Sequence, residues 1–81
     1  MRVTFYGKAG CHLCEDAHAA LDRIRAERDD LEVELVDISL DPRLFRAYGE
    51  RIPVLAVEGE DVLELGFDED SLRRALGRVG A

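Results

Sequence analysis

Apolar and polar residues alternate or recur at helical spacing through the first half of the chain, and they divide it into three predicted elements. Residues 2–6 alternate between the two kinds of side chain, as a half-buried β-strand does. Residues 11–28 predict a helix, and residues 31–38, where Val33 and Leu35 alternate with Glu32 and Glu34, predict a second strand. The apolar face of the helix, at helical spacing, is made of Leu13, Ala17, Ala20, Leu21 and Ile24.

The second half of the chain predicts a short helix followed by a β-hairpin. Asp41 and Pro42 are typical of a helix start, because aspartate caps the first turn and proline fits its first position. This helix ends at Gly49, and its apolar residues are Leu44, Phe45 and Tyr48. Residues 53–57 and 62–65 predict two strands joined by a tight turn at 58–61, which makes them an antiparallel pair.

A final helix begins at the acidic residues 68–70 and carries arginines towards its end, the order that the helix dipole favours. The arginines are Arg73, Arg74 and Arg78, and the predicted buried face holds Leu72, Ala75, Leu76 and Val79. The whole order is β-α-β-α-β-β-α. It predicts an α/β fold of thioredoxin-like layout, in which a mixed four-stranded sheet is flanked by helices.

Length and charge limit the function. A chain of 81 residues is expected to be one domain, spanning 1–81, and its net charge of -7 argues against nucleic acid or an anionic membrane as a partner. No signal peptide and no apolar run of membrane-spanning length is recognisable, so we expect a cytoplasmic protein, and a monomer. Thiols are kept reduced in that compartment, so two cysteines two residues apart indicate catalysis or metal binding.

The chemistry concentrates between the first strand and the first helix. Cys11 and Cys14 lie at the amino end of that helix, where free backbone amides and the helix dipole favour a thiolate. Lys8 adds positive charge if the turn folds back, and Cys14 lies one turn deeper. We therefore expect Cys11 to attack a substrate disulfide and Cys14 to resolve the mixed disulfide.

Pro53 is a second candidate. Proline is tolerated at the start of a strand, which is the plain explanation. In a thioredoxin-like layout, however, the start of this strand lies beside the first helix. A cis bond between Ile52 and Pro53 would then expose the backbone of Ile52 to an extended substrate.

These segments resemble the glutaredoxins, and more closely the small bacterial glutaredoxin-like proteins with Cys-His-Leu-Cys. Residues 6–14, Tyr-Gly-Lys-Ala-Gly-Cys-His-Leu-Cys, look like the glutaredoxin active-site segment. Residues 51–54, Arg-Ile-Pro-Val, look like the segment holding the family's cis-proline, and residues 65–68, Leu-Gly-Phe-Asp, fall where the family has its glutathione clamp. The resemblance spans nearly the whole chain.

The resemblance implies an enzyme that reduces protein disulfides or glutathione mixed disulfides. It makes glutathione a co-substrate, with no tightly bound cofactor. Lys8 would lie near the glycyl carboxylate of glutathione, the Ile52 backbone would pair with its cysteine, and its γ-glutamyl end would lie near Gly66, Phe67 and Asp68. His12 is included among the substrate-contacting residues, as a solvent-facing neighbour of Cys11.

Two other interpretations stay open. Gly66, Phe67 and Asp70 also resemble a segment of the glutaredoxin-like electron donors to ribonucleotide reductase, which take electrons from thioredoxin reductase. Alternatively, Cys11, Cys14 and His18 have a spacing that could supply three zinc ligands in a non-catalytic module, although no fourth ligand stands out and no metal is expected.

Overall fold

The computed structural model describes residues 1–77 and has the predicted order of elements. The strands are β1 (Arg2–Gly7), β2 (Glu32–Asp37), β3 (Val54–Val57) and β4 (Glu60–Glu64). The helices are α1 (His12–Arg25), α2 (Pro42–Tyr48) and α3 (Glu69–Leu76), and a single 3-10 turn, Ile38–Leu40, precedes α2. Arg78 and Val79, predicted as part of the last helix, lie outside the described residues.

The four strands form one sheet in the order β2-β1-β3-β4. β1 and β2 are parallel, as the α1 crossover requires, whereas β3 runs antiparallel to both β1 and β4. The sheet is therefore mixed, as predicted. Val54, the first residue of β3, is paired with Tyr6 near the end of β1, so the segment before β3 and the loop after β1 lie at the same end of the sheet.

Alternation along β1 separates the two faces of the sheet. Val3 and Phe5 are buried on the face covered by α1 and α3, where the core also takes residues from both helices. On the other face Tyr6 stacks on Tyr48 of α2, with ring centroids 4.3 Å apart. The helical residues buried in the core are Ala17, Ala20, Leu21 and Ile24 of α1, and Leu72 and Leu76 of α3.

Helix α1 ends at Arg25, three residues before the predicted end. The amides of Glu27 and Arg28 donate to carbonyls three residues earlier, which is the tight geometry of a last turn. The guanidinium of Arg28 turns away to Asp30, with Nε 2.9 Å from Oδ1 and Nη2 2.6 Å from Oδ2. It also donates to the carbonyl of Gly77 at 2.9 Å, so it joins the α1–β2 loop to the end of α3.

Two leucines predicted to be buried are exposed. Leu13 is 51% exposed because the first turn of α1 extends past the sheet, and Cys14 occupies the buried position there. Leu35 is 54% exposed because β2 is an edge strand. Leu35 lines an open cavity of about 300 Å³ together with residues of α1.

The hairpin is confirmed, but its boundaries differ from the prediction. Pro53 precedes β3, and β4 starts at Glu60 and ends before Leu65. The connection is only two residues long: Glu58 and Gly59 have φ of 51° and 83°. Two positive φ angles in succession match the right-handed twist of the strands, which lets pairing begin directly at Val57 and Glu60.

Candidate functional site

Cys11 and Cys14 are joined by a disulfide at the amino end of α1. Cys11 is the N-cap of the helix and is half-buried, whereas Cys14 is only 5% exposed and belongs to the core. The amide of Cys14 donates to Sγ of Cys11 at 3.2 Å. The two sulfurs thus have different surroundings, one at the surface and one inside.

The position of Cys11 explains how its sulfur could carry negative charge. A helix N-cap accepts from amides that have no partner in the helix, and the helix dipole is positive there. The Cys14 amide that contacts Sγ in the disulfide is a donor of this kind, and it would stabilise a Cys11 thiolate after reduction. Sequence reasoning predicted this placement of the two cysteines.

Lys8 lies in the loop before Cys11 but its ammonium faces an aromatic ring. Nζ is 5.5 Å from the centroid of Phe45 in α2, within the range of a cation–π contact. Among the ion pairs formed by residues 1–77, none includes Lys8. The positive charge of Lys8 therefore lies on the α2 side of the site, where an anionic ligand can contact it.

The Ile52–Pro53 peptide bond is cis, and both residues are buried. The amide of Ile52 donates to the carbonyl of Tyr48 at 3.0 Å, so the expectation that the whole Ile52 backbone is exposed is wrong for its N–H. The carbonyl of Ile52 accepts no backbone hydrogen bond in the loops and turns of the described part of the chain. Only this acceptor is left for pairing with a substrate.

Residues 65–66 lie directly beside the dithiol segment. A Cβ on Gly66, whose φ is 107°, would be 3.6 Å from the Leu13 side chain, which stands between the two cysteines. The amide of Leu65 donates to the carbonyls of Arg51 at 3.0 Å and Pro53 at 3.1 Å. These contacts bring the cis-proline segment, Gly66 and the cysteine segment together, as the sequence resemblance implied.

Leu65 was missed as a site residue. Its φ of 64° turns the side chain outward, where it is 58% exposed near Leu13. Residues 62–65 were predicted to be a strand up to Leu65, and nothing in the sequence signals a positive φ at this leucine. The two exposed leucines give this end of the molecule an apolar surface beside Cys11.

Phe67 and Asp68 have structural partners. The Phe67 ring packs edge-on against Phe5, 6.1 Å between centroids, and lies against the core. Asp68 caps α3 by accepting from the Ser71 amide at 2.9 Å, and this bond holds the pKa of its carboxyl below the usual range. The next residue, Glu69, has a lowered pKa because it is paired with Arg23. The amino end of α3 is therefore acidic, and Asp68 already caps it.

His12 is fully outside, as expected: its side chain is 96% exposed, and Nδ1 is 3.7 Å from Glu15. His18 instead lines the cavity of about 300 Å³, together with Cys14. Within residues 1–77 no group of three or more histidine, cysteine or acidic side chains is arranged to hold a metal ion. The spacing of Cys11, Cys14 and His18 is therefore not matched by a metal-binding arrangement in space.

Comparisons with known proteins agree with the fold. Residues 2–77 match the family model described as Glutaredoxin-like domain (DUF836). A Northeast Structural Genomics target protein from X. campestris is 38% identical, with a TM-score of 0.76 over 91% of this chain and 93% of that one. No functionally curated protein matches significantly.

Two further solved structures have the same fold. A mutant thioredoxin from Halobacterium salinarum is 29% identical, with a TM-score of 0.63 over 91% of this chain and 69% of that one. The E. coli glutaredoxin is 20% identical, with a TM-score of 0.63 over 94% and 93% of the two chains. None of the helices within residues 1–77 is long and apolar enough to cross a membrane.

Proposed function

The chain belongs to the family of glutaredoxin-like domains, and on that premise we propose that it is a thiol-disulfide oxidoreductase using Cys11 and Cys14 as a redox dithiol. The observation that carries the proposal is the asymmetry of the pair. Cys11 is a half-buried helix cap that accepts an amide hydrogen bond, whereas Cys14 is buried behind it. One sulfur is placed to attack a substrate and the other to react only with its neighbour.

The reaction consists of two exchanges. The Cys11 thiolate attacks one sulfur of the substrate disulfide; the bond to Cys11 forms, the substrate S–S bond breaks, and the other substrate sulfur leaves as a thiolate. Cys14, deprotonated, then attacks Cys11. The Cys11–Cys14 disulfide forms and the second substrate sulfur leaves with the electron pair, so the substrate is reduced by two electrons and the dithiol is oxidised.

The surroundings of Cys11 suit an extended segment carrying the substrate disulfide. The Ile52 carbonyl can accept a backbone N–H, and Leu13 and Leu65 supply apolar contact on either side. Both a protein disulfide and a glutathione mixed disulfide present such a segment. Lys8 favours the glycyl carboxylate of glutathione, whereas the acidic start of α3 disfavours its γ-glutamyl carboxylate.

The acidic start of α3 favours thioredoxin reductase over glutathione as the source of electrons. Asp68 belongs to the segment that resembles the glutathione clamp and lies at the acidic start of α3, and Gly66, Phe67 and Asp70 resemble a segment of the donors to ribonucleotide reductase. The alternative is thus a protein of that type, reduced by thioredoxin reductase. Either electron source is consistent with a reducing, cytoplasmic setting.

Cysteine variants test the reaction. In insulin reduction with dithiothreitol as the electron source, Cys11→Ser should abolish catalysis. Reduced Cys14→Ser, freed of dithiothreitol and mixed with insulin, should retain the first exchange and accumulate a mixed disulfide, visible as a mass increase. Unchanged insulin reduction by Cys11→Ser would overturn the proposal.

The source of electrons is tested separately with the wild-type protein. NADPH oxidation is followed with glutathione and glutathione reductase in one assay and with thioredoxin reductase in the other. Turnover only with glutathione assigns the glutathione reaction, and turnover only with thioredoxin reductase removes the clamp role from Gly66, Phe67 and Asp68.

A further inference from the structure

The cavity beside Cys14 joins the buried cysteine to a histidine that the reaction above does not use. It holds about 300 Å³ between α1, the loop after β1, and β2. Its wall includes Cys14 and His18, which are four residues apart on α1 and so lie on the same side of the helix, one turn from each other. Helical side chains four residues apart are neighbours on the helix surface, so His18 and Cys14 line the same part of this cavity.

His18 is held on two sides. Its Nδ1 lies 3.4 Å from Oδ2 of Asp22, one turn further along α1, and its ring packs edge-on against Phe5 at 5.7 Å between centroids. The carboxylate occupies the Nδ1 side, so Nε2 is the nitrogen left to act as a base. Asp22, His18 and Cys14 follow one another along one face of the helix.

Cys14 needs a base for its step. Its side chain is 5% exposed, and a thiol removed from water loses its proton less readily because the thiolate loses hydration. The amide at Cys11 stabilises charge on the other sulfur. Cys14 lines the cavity, which therefore offers a route by which its proton can leave.

We propose that His18 accepts the proton of Cys14 across this cavity when Cys14 resolves the mixed disulfide, with Asp22 orienting the imidazole. The inference rests on the proposed function. The proton moves from Sγ of Cys14 to Nε2 of His18 by way of a water molecule in the cavity, the Cys14 thiolate attacks Cys11, the Cys11–substrate bond breaks, and the released substrate thiolate takes a proton from solvent. The imidazolium then returns its proton to solvent through its exposed side, since the His18 side chain is 37% exposed.

Other charged groups face the cavity from each surrounding element. Lys8 lies in the loop after β1, Glu15 on α1 and Asp37 at the end of β2. Asp37 has a lowered pKa because it accepts from Ser39, so it stays ionised and is a poor proton acceptor near neutral pH. Glu15 and Asp37 would instead stabilise the imidazolium formed by the transfer.

The test separates the two exchanges. The reduced protein is mixed with excess 5,5′-dithiobis(2-nitrobenzoic acid) and thiol release is followed by stopped flow. The phase that accelerates with reagent concentration is attack by Cys11, and the concentration-independent phase is attack by Cys14. In His18→Asn we expect the second phase to slow about 10²-fold with the first unchanged, the usual size of general-base catalysis.

Three further measurements distinguish proton transfer from packing. The pH profile of the second phase should differ between the wild type and His18→Asn. Added imidazole should accelerate His18→Ala, and Asp22→Asn should slow the second phase less than His18→Asn does. The matched control, Asp16→Asn, removes an exposed carboxylate from the same helix and should change neither phase.

The outcomes are distinct. If the wild type shows both phases and His18→Asn has an unaltered second phase, the role of His18 is overturned but the proposed function is not. Equal slowing of both phases in His18→Asn, without rescue of His18→Ala by imidazole, would also overturn it. Absence of thiol release by Cys11 in the wild type would overturn the proposed function and this inference with it.

Discussion

At the scale of single residues, Leu13 distinguishes this site by its exposure. Its side chain lies between the cysteines, half in solvent, and touches the position of Gly66. A leucine in a helix would ordinarily turn its side chain to the core, but here Cys14 holds that position. Leu13 is thus free to contact whatever binds at Cys11.

Leu13→Ser should lower kcat/KM for insulin reduction about 5-fold, because covering half a leucine contributes about 1 kcal/mol to a complex. The rate with 5,5′-dithiobis(2-nitrobenzoic acid), which is too small to cover that side chain, should change little. Val62→Ser, which removes an apolar side chain of similar exposure on β4, is the control for both assays. Parallel losses with the two substrates would contradict a binding role for Leu13.

At the scale of elements, Arg28 fixes the end of α1 and the end of α3 together. It is the least exposed side chain in the ion pairs formed by residues 1–77, at 9%, and it donates to both oxygens of Asp30 and to the Gly77 carbonyl. The bond to Asp30 raises the pKa of Arg28. The planar guanidinium makes all three bonds at once, which an ammonium cannot do.

Arg28→Met should lower the free energy of unfolding by about 2 kcal/mol, since it leaves Asp30 and the Gly77 carbonyl without their donor. Arg28→Lys should recover only part of this loss. Urea unfolding followed by circular dichroism measures both, with Arg43→Met as the control, because Arg43 is 85% exposed. A loss as small as that of Arg43→Met would show that the two ends are held by other contacts.

The elements and their order could be predicted because the apolar spacing, the Asp41–Pro42 cap and the hairpin turn are local signals. The ends of α1 and β4 could not. Arg28 lies beyond the helix and donates to Asp30 and to the distant Gly77 carbonyl, and Leu65 has a positive φ while its amide donates to the carbonyls of Arg51 and Pro53. The cysteine pair could be predicted from its spacing in the sequence. The cavity at His18 could not, because it depends on how far α1 extends over the edge strand β2.

At the scale of the whole molecule, six carboxyl groups have pKa values lowered by folding, and each accepts hydrogen bonds that are lost on unfolding. Arginines lower the pKa of Glu27, Asp30 and Glu69. Ser39 lowers that of Asp37, and the amides of Arg43 and Ser71 lower those of Asp41 and Asp68. These groups are Glu27, Asp30, Asp37, Asp41, Asp68 and Glu69.

A carboxyl group whose pKa is lower in the folded state stabilises the fold at pH values above its unfolded-state pKa. This stability is lost as the pH falls through the folded-state pKa. The ordinary values here are 3.8 for aspartate and 4.5 for glutamate. We therefore expect the urea midpoint to hold from neutral pH to about pH 5 and to fall below about pH 4.5. Asp68→Asn should show a shallower fall. A midpoint that rises steadily into acid would mean that relief of the net charge of -7 dominates instead.

The outer strands of the sheet carry a further consequence. β2 presents Glu32, Glu34 and Asp37, and β4 presents Glu60, while the strands between them have no free edge. A second copy adding itself to either outer strand would bring like charges together, which discourages sheet extension. A variant that loses these charges would leave both outer strands open to sheet extension and fibre-like association.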